Sequence, residues 1–482
     1  CNEAGVTFIG PSAEALELFG DKTRARALAA AEGVPVLAGS EGAVSLDQAQ
    51  AFLADLGAGG AMVIKAVGGG GGRGMRVVTD AGELDSSYQR ARSEAGAAFS
   101  NDEVYVEQLA PRARHIEVQV IGDATGAISQ LGERECSVQR RHQKVVEIAP
   151  SPNLTAEQRD AIADAALRIA NAASYQSLGT VEFLVDIDSP DDFAFIEANA
   201  RLQVEHTVTE EVTGVDLVQA QIRIAGGETL AEIGLDQPSL PAARGYAIQA
   251  RVNVERMEAD GSVRPSGGVL TTFELPAGPG VRVDSYGRQG YTTNPNFDSL
   301  IAKVIGHSTS GFLQAVRRTR RALEEFEIGG IETNIPFLLN VLEHDDFLAG
   351  AVHTRWVEDE IATLATPREE ADEAGETSQA GAAIDVRDPL ASLEYFRSGD
   401  GTRRFDSGEQ PVVVGPPNTE PVAAPLQGTV TELQVSEGEM VREGQQLFVM
   451  SALKMEHLVF AEVGGMIRQI TVSIGDTVFE GH

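Results

Sequence analysis

Met62-Val63-Ile64-Lys65-Ala66, an unbroken glycine run from Gly68 to Gly72, Arg73-Gly74 and then Met75-Arg76-Val77-Val78 form the stretch whose reading decides the fold. The two apolar runs have strand composition, and the glycines between them make a flap. Glycine lets backbone N–H groups approach and cradle phosphate oxygens, so the flap is a candidate phosphate-binding loop. A plain flexible loop has the same composition, so the run alone is a weak signal. Two features narrow it. No Gly-Lys-Ser/Thr follows, and the next element is a strand rather than a helix. The P-loop and the dinucleotide fingerprint are thereby excluded.

Around the flap, strands alternate with helical patterns from Val6 to about Glu358, for example over Lys22–Glu32, Glu157–Ala173 and Gly311–Glu325. Such alternation predicts α/β or α+β layers. Val6-Thr7-Phe8-Ile9, closed by Gly10-Pro11, is expected to be a strand, so the chain opens inside an element. From Thr366 to Ala383 the composition turns to Glu, Ala, Gly and Ser and reads as a flexible acidic linker. At 482 residues and 42% apolar content the chain can bury more than one core. A net charge of −34, from 38 basic and 72 acidic residues, repels nucleic-acid phosphates and anionic membranes. Cys1 and Cys136 are too few for a disulfide framework and have no metal-type spacing, which fits a reducing cytoplasm. No apolar run approaches the ~20 residues of a membrane span, and no signal segment opens the chain.

A metal pair follows from strand geometry. Thr180–Asp186 and Phe193–Ala198 are predicted strands, joined by a turn whose midpoint lies between Ser189 and Pro190. A hairpin closed there sets Glu182 opposite Glu197 and brings Asn199 to the same face. Opposed carboxylates destabilise a hairpin unless something neutralises them, and magnesium bridging nucleotide phosphates would do so. Two solvated surface glutamates would share this spacing. Arg201-Leu202-Gln203-Val204-Glu205-His206 comes next; if extended, it points Arg201, Gln203 and Glu205 to one side. A cation, an amide and a carboxylate suit the binding and deprotonation of bicarbonate. Taken alone, these residues also fit an exposed charged strand.

The C-terminal region repeats itself. Gly428, Val430, Leu433, Val435, Gly438, Val441 and Gly444 recur 37 positions later as Gly465, Ile467, Ile470, Val472, Gly475, Val478 and Gly481. Two similar half-sheets make a small β-sandwich. The second half stops at His482, where the first continues into Leu447-Phe448-Val449, so a strand is expected beyond the end. Lys454, in Ser451-Ala452-Leu453-Lys454-Met455-Glu456, falls at the turn between the halves. A lone surface lysine would be unremarkable, but apolar neighbours in an exposed turn call for another reason.

This region resembles the biotinyl domain family, whose modified lysine lies in Ala-Met-Lys-Met between two half-sheets; here Leu453 replaces the first methionine. A lipoyl domain is the nearest rival, and its lysine typically follows an acidic residue. The glycine flap between two strands, with Lys65 on the first, resembles the ATP-grasp fold. Gly132-Glu133-Arg134-Glu135-Cys136-Ser137-Val138-Gln139-Arg140-Arg141-His142-Gln143-Lys144-Val145-Val146-Glu147, Phe195 to His206, and Ile248-Gln249-Ala250-Arg251-Val252-Asn253 resemble biotin carboxylase signatures. The resemblance runs from Cys1 to about Glu358.

The resemblance implies an α+β ATP-grasp fold with a biotin carboxylase C-terminal subdomain, a flexible linker and a small all-β biotinyl sandwich. Its domains would be 1–21, the remnant of an N-terminal subdomain; 22–240, ATP-grasp; 241–358, the C-terminal subdomain; 359–421, linker; and 422–482, carrier. It implies that Lys22, Lys65 and the flap glycines Gly70, Gly71 and Gly72 bind phosphates. Glu107 and Leu109 would form the adenine hinge, with His115, Gln139 and His142 on the nucleotide. Gln108 stands where the family usually has lysine. Glu182, Glu197 and Asn199 would hold magnesium, with manganese as an alternative. Lys144, Arg201, Gln203 and the Val204 backbone would hold bicarbonate. Glu205 would be its base, and Arg251 would stabilise the enolate of biotin carried on Lys454. Cys136 is expected to be structural.

The implied chemistry joins bicarbonate to biotin at the expense of ATP, through carboxyphosphate. Another ATP-grasp ligase, of carbamoyl-phosphate or peptide type, and a non-catalytic carrier with a decayed ATP domain are the competing readings. The Arg251 motif and carrier argue against the first, and the intact phosphate and metal positions against the second. About 65 residues separate Glu358 from Val422, too few for the ~250 of a (β/α)₈ carboxyltransferase barrel. Transfer is therefore expected on a partner chain or beyond His482, with an acyl-CoA as acceptor. Biotin protein ligase and homo-oligomerisation are further expected partners.

Overall fold

The computed structural model describes residues 1–57, 59–68, 74–189, 192–258, 261–294, 297–368, 419–452, 455–478 and 481. Gly70, Gly71 and Gly72 of the flap, most of the expected linker, and Leu453-Lys454 lie outside the described residues.

The strands flanking the flap form where the sequence places them. β1 (Met62–Ala66) pairs antiparallel with β2 (Arg76–Val78) on one side and β3 (Val104–Gln108) on the other. Alternation sorts this small sheet into two faces. Met62, Ile64, Val78, Val104 and Val106 are buried with residues of helices α3 (Leu46–Asp55) and α4 (Leu84–Phe99). Lys65, Tyr105 and Glu107 take the opposite face.

A second, eight-stranded sheet carries most of the fold. Its sequential strands are β4 (Ala113–Gly122), β5 (Ile128–Arg140), β6 (Gln143–Ala149), β7 (Ser177–Asp186), β8 (Phe193–Asn199) and β9 (Tyr246–Asn253). Two more, Val281–Ser285 and Leu300–Ser308, complete the spatial order Val281–Ser285, Leu300–Ser308, β9, β6, β5, β4, β7, β8. On β4, Ile116, Val118 and Val120 pack against Ile162, Ala165 and Ile169 of helix α5 (Ala156–Ala172), whose start is fixed by a Thr155–Gln158 capping box. His115, Glu117 and Gln119 alternate with them and face the other way. The expected boundary near residue 240 does not divide this sheet, because β9 pairs with β6 and extends it.

Two expectations are corrected. Val6–Ile9 is not a strand; the Val6 N–H closes a turn onto the Cys1 carbonyl, and Val6, Phe8 and Ile9 are at least half exposed. Ordered structure also continues past residue 358, because helix Ile361–Leu364 buries Leu364 and Asn340 Nδ2 donates to the Leu364 carbonyl at 2.9 Å.

Contacts divide the chain into two units, one containing these sheets and ending at Ala365, the other containing the C-terminal residues. In the latter, Met455–Phe460, Gln446–Ala452, Gly428–Leu433 and Thr477–Val478 form a four-stranded sheet, and Met440–Val441 pairs with Gly465–Met466. Its hydrogen bonds obey the 37-residue repeat. Val430 N–H donates to Asp476 O and Gly475 N–H to Val430 O, at 2.9 and 2.8 Å; Ile467 N–H to Glu439 O and Gly438 N–H to Ile467 O match them at 2.9 and 2.8 Å. Gly444 donates to Ala461 and, 37 residues away on each side, Gly481 donates to Ala424. The repeat is therefore a two-fold pseudo-symmetry. No described helix is long and apolar enough to cross a membrane.

Candidate active site

The β7–β8 hairpin sets Glu182 opposite Glu197, the expected pair, with Asn199 opposite Thr180. A bulge after Glu182 offsets the turn-side half by one residue, so Phe183 faces Phe195. The row continues across the sheet, with Glu182 opposite Glu117 on β4 and Glu117 opposite Arg134 on β5. Three glutamates thus stand side by side, an arrangement that needs cations.

Cations surround the row. Lys144 Nζ reaches Glu117 Oε2 at 2.6 Å, Glu182 Oε1 at 3.0 Å and Glu205 Oε1 at 2.6 Å, which engages all three ammonium protons. Fully buried Arg134 pairs with Glu117 and donates to Gln119 Oε1, Thr209 Oγ1 and Thr180 Oγ1 at 2.8, 3.0 and 3.1 Å. Lys22 Nζ lies 3.3 Å from Glu197 Oε2. Burial disfavours ionisation of Glu182, but Lys144 and His115 outweigh it and hold its carboxyl well below the usual range.

Glu205 closes the cluster from the start of helix α6 (His206–Thr213), where it is 1% exposed. Arg251 Nη2 donates to its second oxygen at 3.0 Å, while Arg251 Nε pairs with buried Glu147. Burial again opposes charge, and Lys144, Arg251 and Arg134 again overcome it, so the Glu205 carboxyl is held well below its ordinary pKa. The segment that delivers Glu205 is not extended as expected. His206 N–H donates back to Gln203 O at 3.3 Å, turning the chain into α6. Arg201 and Gln203 still meet, with Nη1 to Oε1 at 2.8 Å, but Glu205 is directed to Lys144 and Arg251.

Around the small sheet, both Lys65 and Arg26, the latter from helix α2 (Lys22–Ala31), pair with the buried Glu107 carboxylate. Glu107 is also paired along the backbone, opposite Val63 of β1 and bridged to Gly39. Leu109 N–H is already bonded to Ala61 O at 2.9 Å. Gln139 Nε2 meets His115 Nδ1 at 2.7 Å, which fixes the ring. His115 Nε2 lies 2.9 Å from Glu182 Oε2 but is not aligned for a good hydrogen bond, leaving a buried donor for a ligand oxygen. His142 and Arg141 sit at the β5–β6 turn with φ of 65° and 46°, values that side chains adopt at a cost.

The residues present fit a hard divalent cation. Asn199 Nδ2 lies 2.9 Å from Glu182 Oε1 and 3.2 Å from Glu197 Oε1, and rotating that amide by half a turn would present its oxygen beside both carboxylates. Cys136 is fully buried near Glu117, and burial, reinforced by Glu117, pushes its thiol pKa well up, so it is inert. Glu117, Glu147, Arg134 and Lys303, whose Nζ donates to Val204 O at 3.0 Å, belong to the site or support it, yet were not singled out from sequence. A signal existed for Glu117, because His115, Glu117 and Gln119 form a period-two polar row alternating with apolar Ile116, Val118 and Val120.

Comparison with known proteins agrees with this geometry. Residues 21–233 match the family model for the carbamoyl-phosphate synthase L chain ATP-binding domain, 249–359 the biotin carboxylase C-terminal domain, and 420–482 the biotin-requiring enzyme model. The Bacillus subtilis pyruvate carboxylase is 47% identical over 74% of this chain, which spans only 31% of that protein's length. The biotin carboxylase domain of Hydrogenobacter thermophilus 2-oxoglutarate carboxylase, solved with MgADP, ADP and bicarbonate, superposes with a TM-score of 0.72 at 40% identity, covering 76% of this chain and 79% of that one. A single-chain, multi-domain long-chain acyl-CoA carboxylase covers 100% of this chain and 41% of its own, with 37% identity and a TM-score of 0.64. An ATP-binding domain, a biotin carboxylase C-terminal domain and a biotinyl domain in one chain, with this identity to solved biotin carboxylase domains, make the protein a member of the biotin-dependent carboxylase family.

Proposed function

We propose that this chain carboxylates biotin held on Lys454, using ATP and bicarbonate, as the first half-reaction of an acyl-CoA carboxylase. The observation that carries the first part is the buried Glu205 carboxylate set between Lys144 and Arg251, beside a carboxylate pair suited to a divalent cation. Magnesium held by Glu182, Glu197 and Asn199 would neutralise charge on the transferring phosphoryl group. Biotin would supply the ureido nitrogen that accepts the carboxyl group.

The protein's own residues prepare the substrates. Bicarbonate enters beside Arg201, Gln203 and the Val204 backbone and competes for Lys144, whose three protons are otherwise engaged. As Lys144 turns to the anion, Glu205 loses the stronger of its two ion pairs and becomes a better base. Glu205 then takes the bicarbonate proton as the anion attacks the γ-phosphate and the bond to ADP breaks, giving carboxyphosphate and ADP, while Lys22 and Lys65 hold the phosphates in line. Arg251, anchored by Glu147, remains to meet negative charge developing on the carboxyl acceptor.

Alignment over the whole chain, carrier included, supports the acyl-CoA reading; the pyruvate carboxylase matches extend over 74% of the chain. The transfer half-reaction is assigned to a carboxyltransferase on another chain or on sequence past His482, and modification of Lys454 to a biotin ligase. Bicarbonate- and biotin-dependent release of ADP by the purified protein tests the half-reaction. ATP turnover indifferent to bicarbonate would refute it.

A further inference from the structure

Glu107 binds two cations at once. Its side chain is fully buried, and one oxygen pairs with Lys65 while the other pairs with Arg26. Arg26 is itself 7% exposed, and its Nη2 donates to Leu37 O at 2.8 Å. The chain keeps room for this pair at Gly39. A Cβ there would stand 2.8 Å from Val106 O, 2.9 Å from Arg26 Nη2 and 3.1 Å from Glu107 Cγ. Arg26 also follows Lys22 by four residues, one helical turn, so α2 directs both cations from one face. Lys22 goes to Glu197 and Arg26 to Glu107.

The charges impose a competition. While Lys65 lies on Glu107, one of its three protons is committed to that carboxylate and its ammonium is tethered there. Lys65 can leave only if Glu107 remains neutralised, because an unpaired carboxylate in a fully buried position is strongly disfavoured. Arg26 is placed to supply that neutralisation and, with a guanidinium pinned at Leu37, does not itself move.

We propose that Arg26 is a positioning residue for the nucleotide: it holds Glu107 neutral so that Lys65 is free to leave for the phosphates. The inference rests on the ATP-site reading above. In an Arg26→Met variant Glu107 has Lys65 as its remaining partner and retains it.

The test measures ADP and ATP-analogue affinity by calorimetry, and bicarbonate-dependent ATP turnover, on the full biotinylated chain. R26M should raise the KM for ATP about tenfold or more while the KM for bicarbonate moves less than about twofold. R26M/E107Q should recover most of that loss, because a neutral amide does not hold Lys65. R26K, which keeps the charge, should lose less than R26M. Wild-type affinity in R26M, or a double variant no better than R26M, would overturn the role and leave Arg26 as mere scaffold. If R26M does not fold, R26K against R26K/E107Q carries the same comparison, and absence of rescue there is equally fatal. A wild-type protein that binds no nucleotide would instead bring down the ATP-site reading, and this inference with it.

Discussion

Lys303 donates to the carbonyl oxygen of Val204 at 3.0 Å, from a strand position directly opposite Arg251. Asp284 Oδ2 steadies the same ammonium at 3.2 Å. The turn that presents Val204 and Glu205 is thus tied to the strand beside the one that presents Arg251. Lys303→Met should loosen the turn without removing any group proposed to touch substrate. We expect bicarbonate-dependent ATP turnover to fall about 10- to 100-fold, chiefly through the KM for bicarbonate, with ADP affinity retained. Unchanged steady-state kinetics would show that the turn holds its shape without Lys303.

Glu205→Gln removes the proposed base and keeps the volume. Bicarbonate-dependent hydrolysis should drop by roughly 10²–10⁴, with MgADP binding preserved. Turnover close to wild type would transfer the base role to another group.

The depressed carboxyl pKa of Glu205 has a consequence for stability. Its folded value lies below the unfolded value of about 4.3, so its contribution is present at and above pH 5 and is lost as pH falls from there through the folded value. Histidines whose pKa burial depresses, such as His142, should lower wild-type stability, read from urea midpoints, as pH falls below about 6.5. The loss of the Glu205 contribution should add on the order of 1–3 kcal/mol to that decline below about pH 4.5. Glu205→Gln should show a shallower decline over the same window. Parallel curves for the two proteins would remove Glu205 as a source of acid sensitivity.

Much of this site is legible in the sequence, and the misses have physical causes. The expected Glu182–Glu197 pair forms, but it needs the bulge as well as the turn, because the turn-side pairs Leu184–Ala194 and Val185–Phe193 centre on Ser189 rather than between Ser189 and Pro190. The bulge that shifts Phe183 to face Phe195 is set by packing and leaves no mark in a pattern of apolar residues. Arg201–His206 has an alternation that suits a strand, but no neighbouring edge receives it, and it turns into α6 instead. Glu117 is marked in the sequence only by the period-two row of His115, Glu117 and Gln119, and becomes central once β4 is sandwiched between β5 and β7. The carrier repeat was the most legible feature, because identical spacing demands identical hydrogen bonds, and the pairs at Val430 and Ile467 supply them.

Lys454 is proposed as the site of biotin attachment. Pairing of the Gln446–Ala452 and Met455–Phe460 strands reaches Ala452 opposite Met455, the residues that flank Leu453-Lys454 in the sequence. Lys454→Arg should abolish streptavidin blotting after co-expression with a biotin ligase. Signal surviving that substitution would place the biotin elsewhere.

The acceptor is the part of the proposed function furthest from the described residues, and it can be separated from the first half-reaction. Between Arg368 and Thr419, the described residues on either side, lie 50 residues of sequence. That is too short a sequence to contain a (β/α)₈ carboxyltransferase barrel of ~250 residues. The acceptor class proposed above is a thioester, a reading supported by the whole-chain alignment with a long-chain acyl-CoA carboxylase. The full-length gene product, or its complex with a carboxyltransferase, should fix labelled bicarbonate into acetyl-, propionyl- or a longer acyl-CoA in an ATP-dependent manner. Lys454→Arg should abolish that incorporation while leaving turnover with free biotin in place, which separates loss of the carrier from loss of the carboxylase. Label entering pyruvate, with none in any acyl-CoA, would assign this chain instead to the pyruvate carboxylase branch of the family.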